Sequence, residues 1–240
     1  MTSGTATGFY ELIDATWPAA AFHRAGGFVV RDGKGGGSRV SSASLEVPLS
    51  EADPEAAIAC HRALGQPVKF QIREGHEALD AMLEARGYEC FDPSLVYRAP
   101  VVTFPQDIPE LAAFPHWPPL AVTREIFEED GIDAARQAVM ARAQGPACVI
   151  LGRNGDRAAG AAFAACAGRE AMIHALTTRP EFRRRGVAGH IMSEAARWAG
   201  ANGATALNLV VRASNTGAIA LYERLGMTLQ GRYHYRREIL

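Results

Sequence analysis

The chain has 240 residues, 48% of them hydrophobic, and a formal net charge of -1. That length and apolar content suffice for one large or two small domains with real cores, and near-neutral charge gives no general signal for nucleic acid or a membrane surface. No apolar stretch reaches transmembrane length, and the start Met-Thr-Ser-Gly-Thr-Ala-Thr lacks a basic region followed by a hydrophobic core, so the expected location is the cytoplasm.

Taken in chain order, Gly27–Arg31 and Val40–Leu45 read as strands around the tract Asp32-Gly33-Lys34-Gly35-Gly36-Gly37-Ser38-Arg39. The tract lacks the Gly-x-x-x-x-Gly-Lys-Ser/Thr order of a phosphate loop and is read as a flexible hairpin. An apolar helix over Pro54–Leu64 precedes a strand, Val68–Arg73, and a helix running through Ala78–Arg86 to Gly87. Prolines 100, 105, 109, 115, 118 and 119 then cluster as in a linker with little regular structure, placing a domain boundary near 104. Residues 1–103 carry nine Lys and Arg against thirteen Asp and Glu, whereas 104–240 carry sixteen against thirteen.

In the second part, Asp133–Ala143 is helix-like, with Glu125, Glu128, Glu129 and Asp130 before it. Those carboxylates are weighed as an attraction for a cationic amine against an ordinary solvated flank. Pro146–Leu151 and Ala158–Phe163 flank Asn154-Gly155, a hairpin signal, and Ala171–Leu176 is the next strand. Residues 176–192 read as a strand end, a basic glycine-containing turn and a helix start, which together make an anion site. Gly186 and Gly189 let the backbone come close, Arg183, Arg184 and Arg185 add charge, and Val187, Ile191, Ala195 and Trp198 repeat at helical spacing to bury the helix behind the turn. Ala206–Val211 fits a buried strand, and Asn215 caps a short helix whose Ala218, Leu221, Tyr222 and Leu225 share a face and whose end is marked by Gly226. The order hairpin, strand, loop, helix, strand, helix and final strands is an α/β layer with a mixed central sheet flanked by helices.

Two segments carry a resemblance. Arg183-x-x-Gly186-x-Ala188 resembles the coenzyme A pyrophosphate loop of the GNAT N-acetyltransferase superfamily, Arg/Gln-x-x-Gly-x-Gly/Ala. Residues Asn215 to Met227 resemble its second signature, Asn-x-x-Ala-x-x-Leu-Tyr-x-x-x-Gly-Phe, with Met227 in place of Phe. The first half is a faint repeat of the second: Ala78–Tyr88 overlays Gly217–Met227, and Val68–Arg73 overlays Leu207–Arg212. Leu83 stands there in place of Tyr222, and Leu45–Pro54 has no Arg-x-x-Gly-x-Gly/Ala pattern, so this copy looks like a degenerate unit. The chain thus resembles a tandem GNAT protein, with a degenerate domain over 1–104 and a catalytic domain over 105–240.

The resemblance implies acetyl transfer from acetyl-CoA to a primary amine of a small molecule or peptide. It assigns the coenzyme to Leu176, Thr177, Thr178, Arg183, Arg184, Arg185, Gly186, Val187, Ala188, Gly189, Asn215, Ala218 and Tyr222, with backbone amides at the end of the strand Met172–Thr177 facing the oxyanion. Tyr222 would protonate the departing thiolate. Many relatives carry a Glu near the place of Met172, which cannot accept a proton; His174, two residues along the same face, is the candidate base, with Glu170 or ordered water as alternatives. The runner-up reading is a non-catalytic acyl-CoA sensor or scaffold. Cys60, Cys90, Cys148 and Cys166 read as reduced core thiols, and no His or Cys spacing suggests a metal. Neither nucleic acid nor membrane is expected as a partner; a homodimer is compatible with the sequence.

Overall fold

The computed structural model describes residues 6–239. The first half runs α1 (Ala6–Thr16), β1 (Ala21–Ala25), β2 (Phe28–Asp32), β3 (Ala43–Leu45), α2 (Pro54–Ala63), β4 (Lys69–Arg73), α3 (Glu77–Ala85) and β5 (Glu89–Pro100). It continues with β6 (Ala113–His116), α4 (Ala121–Glu129), α5 (Ala134–Met140), β7 (Ala147–Asn154), β8 (Arg157–Ala167) and β9 (Glu170–Thr178). Last come α6 (Val187–Ala201), β10 (Ala206–Arg212), α7 (Thr216–Arg224) and β11 (Thr228–Arg237).

These elements form two compact units, and the division does not fall at one point in the chain. One unit holds residues 6–18, 96–211 and 216–230; the other holds 19–95, 212–215 and 231–239. In the first, strands lie in the order β5-β10-β9-β8-β7-β6, with β10 parallel to β9 and the β6-β7-β8-β9 neighbours antiparallel. In the second the order is β1-β2-β3-β4-β11, β3 and β4 being the parallel pair. Each unit's strand order therefore includes a strand from the other half of the sequence: β11, whose Tyr233–Arg237 pair with β4, in one, and β5, beside β10, in the other.

The second unit packs α2 and α3 over Phe28, Val30, Phe70, Ile72, Leu79 and Leu83. In the first, α6 covers β7 and β8 through Val187, Ile191, Ala195 and Ala199, all 1% exposed or less. Trp198, expected in that stripe, is only half-buried, and Ala199 takes its place. The helix lies close because Gly152 and Gly160 face each other across β7 and β8. A Cβ on Gly160 would stand 2.6 Å from the Thr177 carbonyl oxygen and 3.2 Å from Ile191 and Val187. Since a backbone carbonyl cannot swing aside, Gly160→Ala is expected to destabilise the fold by about 1–3 kcal/mol. Urea titration reads this as a lower midpoint with an unchanged slope.

The proline-rich segment read as a linker contains β6, with Pro115 inside it. Proline lacks the amide that a central strand must donate, but β6 sits at the sheet edge, where that loss is tolerated. The carboxylates Glu125, Glu128 and Glu129 belong to α4 itself, a helix that the sequence pattern does not mark; Ile126 and Phe127 form its buried face.

Candidate active site

Strands β9 and β10 pair in parallel from Glu170–Ala206 to Ile173–Leu209, and no pair follows, although β9 runs on to Thr178 and β10 to Arg212. At the same level β9 bulges against β8: Phe163 pairs with His174 and Ala161 with Thr177, so Ala162 faces both Ala175 and Leu176. Ala175 has φ 55°, in the left-handed region. A bulge leaves its extra residue outside the ladder. The result is an opening between parallel strands at their C-terminal ends, where α/β sheets receive ligands. Of the expected contact residues, Leu176 lies in the bulge, while Thr177 and Thr178 pair with Ala161 and Gly160 on the β8 side.

Beyond β9 the chain makes a single 3-10 turn, Pro180–Phe182, and reaches α6. Phe182 is 4% exposed and anchors the turn, with the Arg157 guanidinium 4.8 Å from its ring. Arg183 Nε donates to the Thr178 carbonyl at 3.3 Å. Arg183, Arg184 and Arg185 are all exposed. Arg184 and Gly186 have φ of 62° and 84°, and Gly186 occupies the N-cap of α6 without any side-chain cap. The first amide tied back to this N-cap is that of His190, which donates to the Gly186 carbonyl at 3.0 Å. The amides of Val187, Ala188 and Gly189 precede it in the first turn, where helix geometry offers no internal acceptor. A Cβ on Gly189 would meet nothing within 4 Å, and one on Gly186 would come no closer than 3.5 Å to His190, so the turn faces open space. The positive end of the helix dipole and the free amides thus face open space, with three exposed arginines in the turn that precedes them.

The equivalent helix of the other unit is built differently. At the start of α2 the Asp53 carboxylate accepts from the amides of Glu55 and Ala56 at 3.0 and 3.4 Å, Pro54 removes a further donor, and Glu55 adds negative charge. That helix end is filled by its own carboxylate and repels an anion.

Tyr222 lies on α7 and is 6% exposed. Among the described residues its hydroxyl has no hydrogen-bond partner, and burial pushes its pKa up to about 12. Its ring packs 6.2 Å from that of Tyr97 on β5, whose hydroxyl donates to Glu223 at 3.1 Å. Ala218 is half-buried on the same helix, and Asn215 is exposed immediately before it.

His174 is 3% exposed beneath α1. Its ring stacks on Trp17 at 5.0 Å and lies 6.2 Å from Phe163. Nε2 is 2.9 Å from Thr16 Oγ1, and since that hydroxyl donates to the Leu12 carbonyl, Nε2 is the donor of the pair. Glu170 is held by Arg98, at 2.7 and 3.1 Å, and by Asn208 at 2.7 Å. Burial alone would raise this carboxyl, but those donors outweigh it and leave it below its usual range. Met172 is fully buried. Glu129 is clamped by Arg179 at 2.7 and 2.8 Å, which lowers its pKa and leaves this member of the acidic cluster neutralised.

The buried thiols of Cys148 and Cys166 are pushed up by burial, Cys166 to about 11, so neither is a nucleophile near neutral pH. Among the described residues no cluster of three or more His, Cys, Asp or Glu could hold a metal ion. None of the described helices is long and apolar enough to cross a membrane.

Against known proteins, the family model described as "Acetyltransferase (GNAT) family" matches residues 108–227. No curated protein matches the chain. Among solved structures it is similar to a GCN5-related N-acetyltransferase from Kribbella flavida, with 17% identity, a TM-score of 0.72, and coverage of 99% of this chain and 96% of that one. A functionally unknown conserved protein from Staphylococcus epidermidis gives 12% identity and the same TM-score of 0.72, over 95% and 97% of the two chains. A tandem GNAT protein from the clavulanic acid biosynthesis pathway gives 14% identity and 0.56, over 82% of this chain and 74% of that one. At these identities the structural likeness establishes the fold, and the family model covers half of the sequence, including the β9 opening, the uncapped α6 turn and Tyr222: the chain belongs to the GNAT acetyltransferase family.

Proposed function

We propose that the protein transfers the acetyl group of acetyl-CoA to a primary amine of a small molecule or peptide, by direct attack of the amine on the thioester. The observation that carries this reading is the uncapped, arginine-flanked N-terminus of α6 directly following the bulged end of β9. In this reading Val187, Ala188 and Gly189 donate backbone N–H bonds to the pyrophosphate of the coenzyme, and Arg183, Arg184 and Arg185 neutralise its charge. Bulge amides at Ala175–Leu176 stabilise the oxyanion as the amine adds, a stretch that lies within the expected strand end Met172–Thr177.

When the intermediate collapses, Tyr222 gives its proton to the leaving sulfur. Burial keeps this phenol protonated at neutral pH, and with no partner among the described residues the proton is uncommitted. Proton removal from the amine is assigned to ordered water. The enclosure of His174 between Trp17, Phe163 and Thr16 supports an anchoring role for α1, and Glu170 is already neutralised by Arg98. The unit that carries this machinery holds residues 6–18, 96–211 and 216–230, that is, most but not all of the segment read as 105–240 together with α1 and the end of β5. The unit built on 19–95 is read as its degenerate copy.

The contrast between α6 and α2 fixes the expected stoichiometry. Calorimetric titration with coenzyme A should give one site per chain, and Asp53→Ala should not create a second, because Pro54 and Glu55 remain. Two sites in the unmodified protein would contradict the assignment of the first-half unit as non-binding.

A further inference from the structure

Nothing in the sequence marks the first half as taking part in the chemistry, yet β5, encoded there, lies in the same compact unit as α7 from residue 96 onward. It brings Tyr97 against Tyr222, ring to ring at 6.2 Å, and the Tyr97 hydroxyl bonds the next residue of the helix, Glu223, at 3.1 Å. Both phenols are buried, at 4% and 6% exposure. Their environments differ in one respect: the proton of Tyr97 is committed to a carboxylate, and that of Tyr222 has no acceptor among the described residues.

The other unit repeats this arrangement with different chemistry. Tyr97 is the ninth residue of β5 and Arg236 the ninth of β11; Glu223 is the eighth residue of α7 and Glu84 the eighth of α3. Arg236 reaches Glu84 at 3.5 Å and Asp80 at 2.6 Å. A strand-to-helix clamp is thus present in both units. The residue before the clamped carboxylate is Leu83 in one and Tyr222 in the other. Where the helix carries only leucine, the clamp is a cation. Beside Tyr222 it is a neutral phenol, and a guanidinium there would stabilise tyrosinate and pull the pKa of the proposed acid down.

We propose that Tyr97 is a positioning residue for acetyl transfer: by anchoring Glu223 and packing on the Tyr222 ring, it fixes the rotamer of the proposed acid while placing no cation beside it. This inference rests on the role given to Tyr222 above, and it gives the first half of the chain a part in the reaction without a ligand site of its own.

A double-mutant cycle on Tyr97→Phe and Tyr222→Phe tests it. Tyr97→Phe keeps the ring and removes the bond to Glu223. Its kcat should fall about tenfold, a misplacement-sized loss, with KM for acetyl-CoA within twofold. In the Tyr222→Phe background the same change should have no further effect on kcat. Glu223→Gln, which retains an acceptor oxygen, should restore most of the activity lost in Glu223→Ala. In Tyr97→Arg, the alkaline titration of Tyr222 followed by tyrosinate absorbance should move to lower pH. Equal losses from Tyr97→Phe in both backgrounds, or an unchanged kcat in the single variant, would overturn the proposal while leaving the acid role of Tyr222 intact. Full activity in Tyr222→Phe would overturn both.

Discussion

Tyr222→Phe is expected to fold normally, to bind coenzyme A within a few-fold of the unmodified protein, and to lower kcat by roughly 10- to 10⁴-fold. The ring is the part that packs: at 6% exposure and 6.2 Å from Tyr97 it contributes buried area that phenylalanine preserves. The hydroxyl makes no bond within the described protein, so its removal leaves no unsatisfied partner behind and costs little stability. On the role proposed for Tyr222, what is lost is a proton donor where sulfur takes on negative charge in a poorly solvated site. The width of the range reflects how well water can replace the phenol. Stopped-flow measurement of acetyl transfer in a single turnover checks this, and an unchanged rate constant for the chemical step would reduce Tyr222 to a packing residue.

Gly186→Val is expected to weaken coenzyme A binding by about 10²-fold or more, with a smaller effect on folding. The loss comes from the backbone and not from crowding. A Cβ there would meet only His190, at 3.5 Å, but φ is 84°, a conformation that valine strongly resists. The turn would relax toward negative φ, and the amides of Val187, Ala188 and Gly189 would cease to point at one spot. Gly189→Ala is the matched control, since a methyl group there meets no protein atom within 4 Å and the residue lies inside the helix. Calorimetry should show a large loss for Gly186→Val. Unchanged affinity in that variant would remove the α6 turn from the coenzyme site.

Much of this site was legible in the sequence because its signals are local. A strand, a basic turn with Gly186 at a positive φ, and a helix with buried Val187 and Ile191 follow one another within a few residues, and each has its own composition. The same holds for α7, bounded by Asn215 and by Gly226 with φ 80°. Features that depend on distant parts of the chain left no such trace. The bulge at Ala175 and Leu176 arises from register with β8, and no glycine marks it.

The exchange of β5 and β11 between units cannot be read from either strand's own pattern, so Tyr97 was missed; its one sequence signal is the repeat itself, which sets it opposite Arg236. His174 was read as a candidate base from strand parity, which says only that it shares a face of β9 with Met172. Parity could not reveal that Thr16 and Trp17, more than 150 residues earlier in the chain, would close over it. Helix α4 was obscured because Glu125, Glu128 and Glu129 dominate its composition, although Ile126 and Phe127 bury its inner face.

Central to this account is the attack of an amine on a thioester held at the α6 turn. The most direct test incubates the protein with acetyl-CoA and a panel of primary amines and peptides, following free thiol and the mass of each acceptor. The account predicts thiol release that requires an amine, one acetyl group gained by that amine for each thiol formed, and loss of both signals in Gly186→Val. Saturable acetyl-CoA binding at one site with no amine-dependent thiol release from any acceptor class would contradict it and favour a protein that senses the acyl-coenzyme without turning it over.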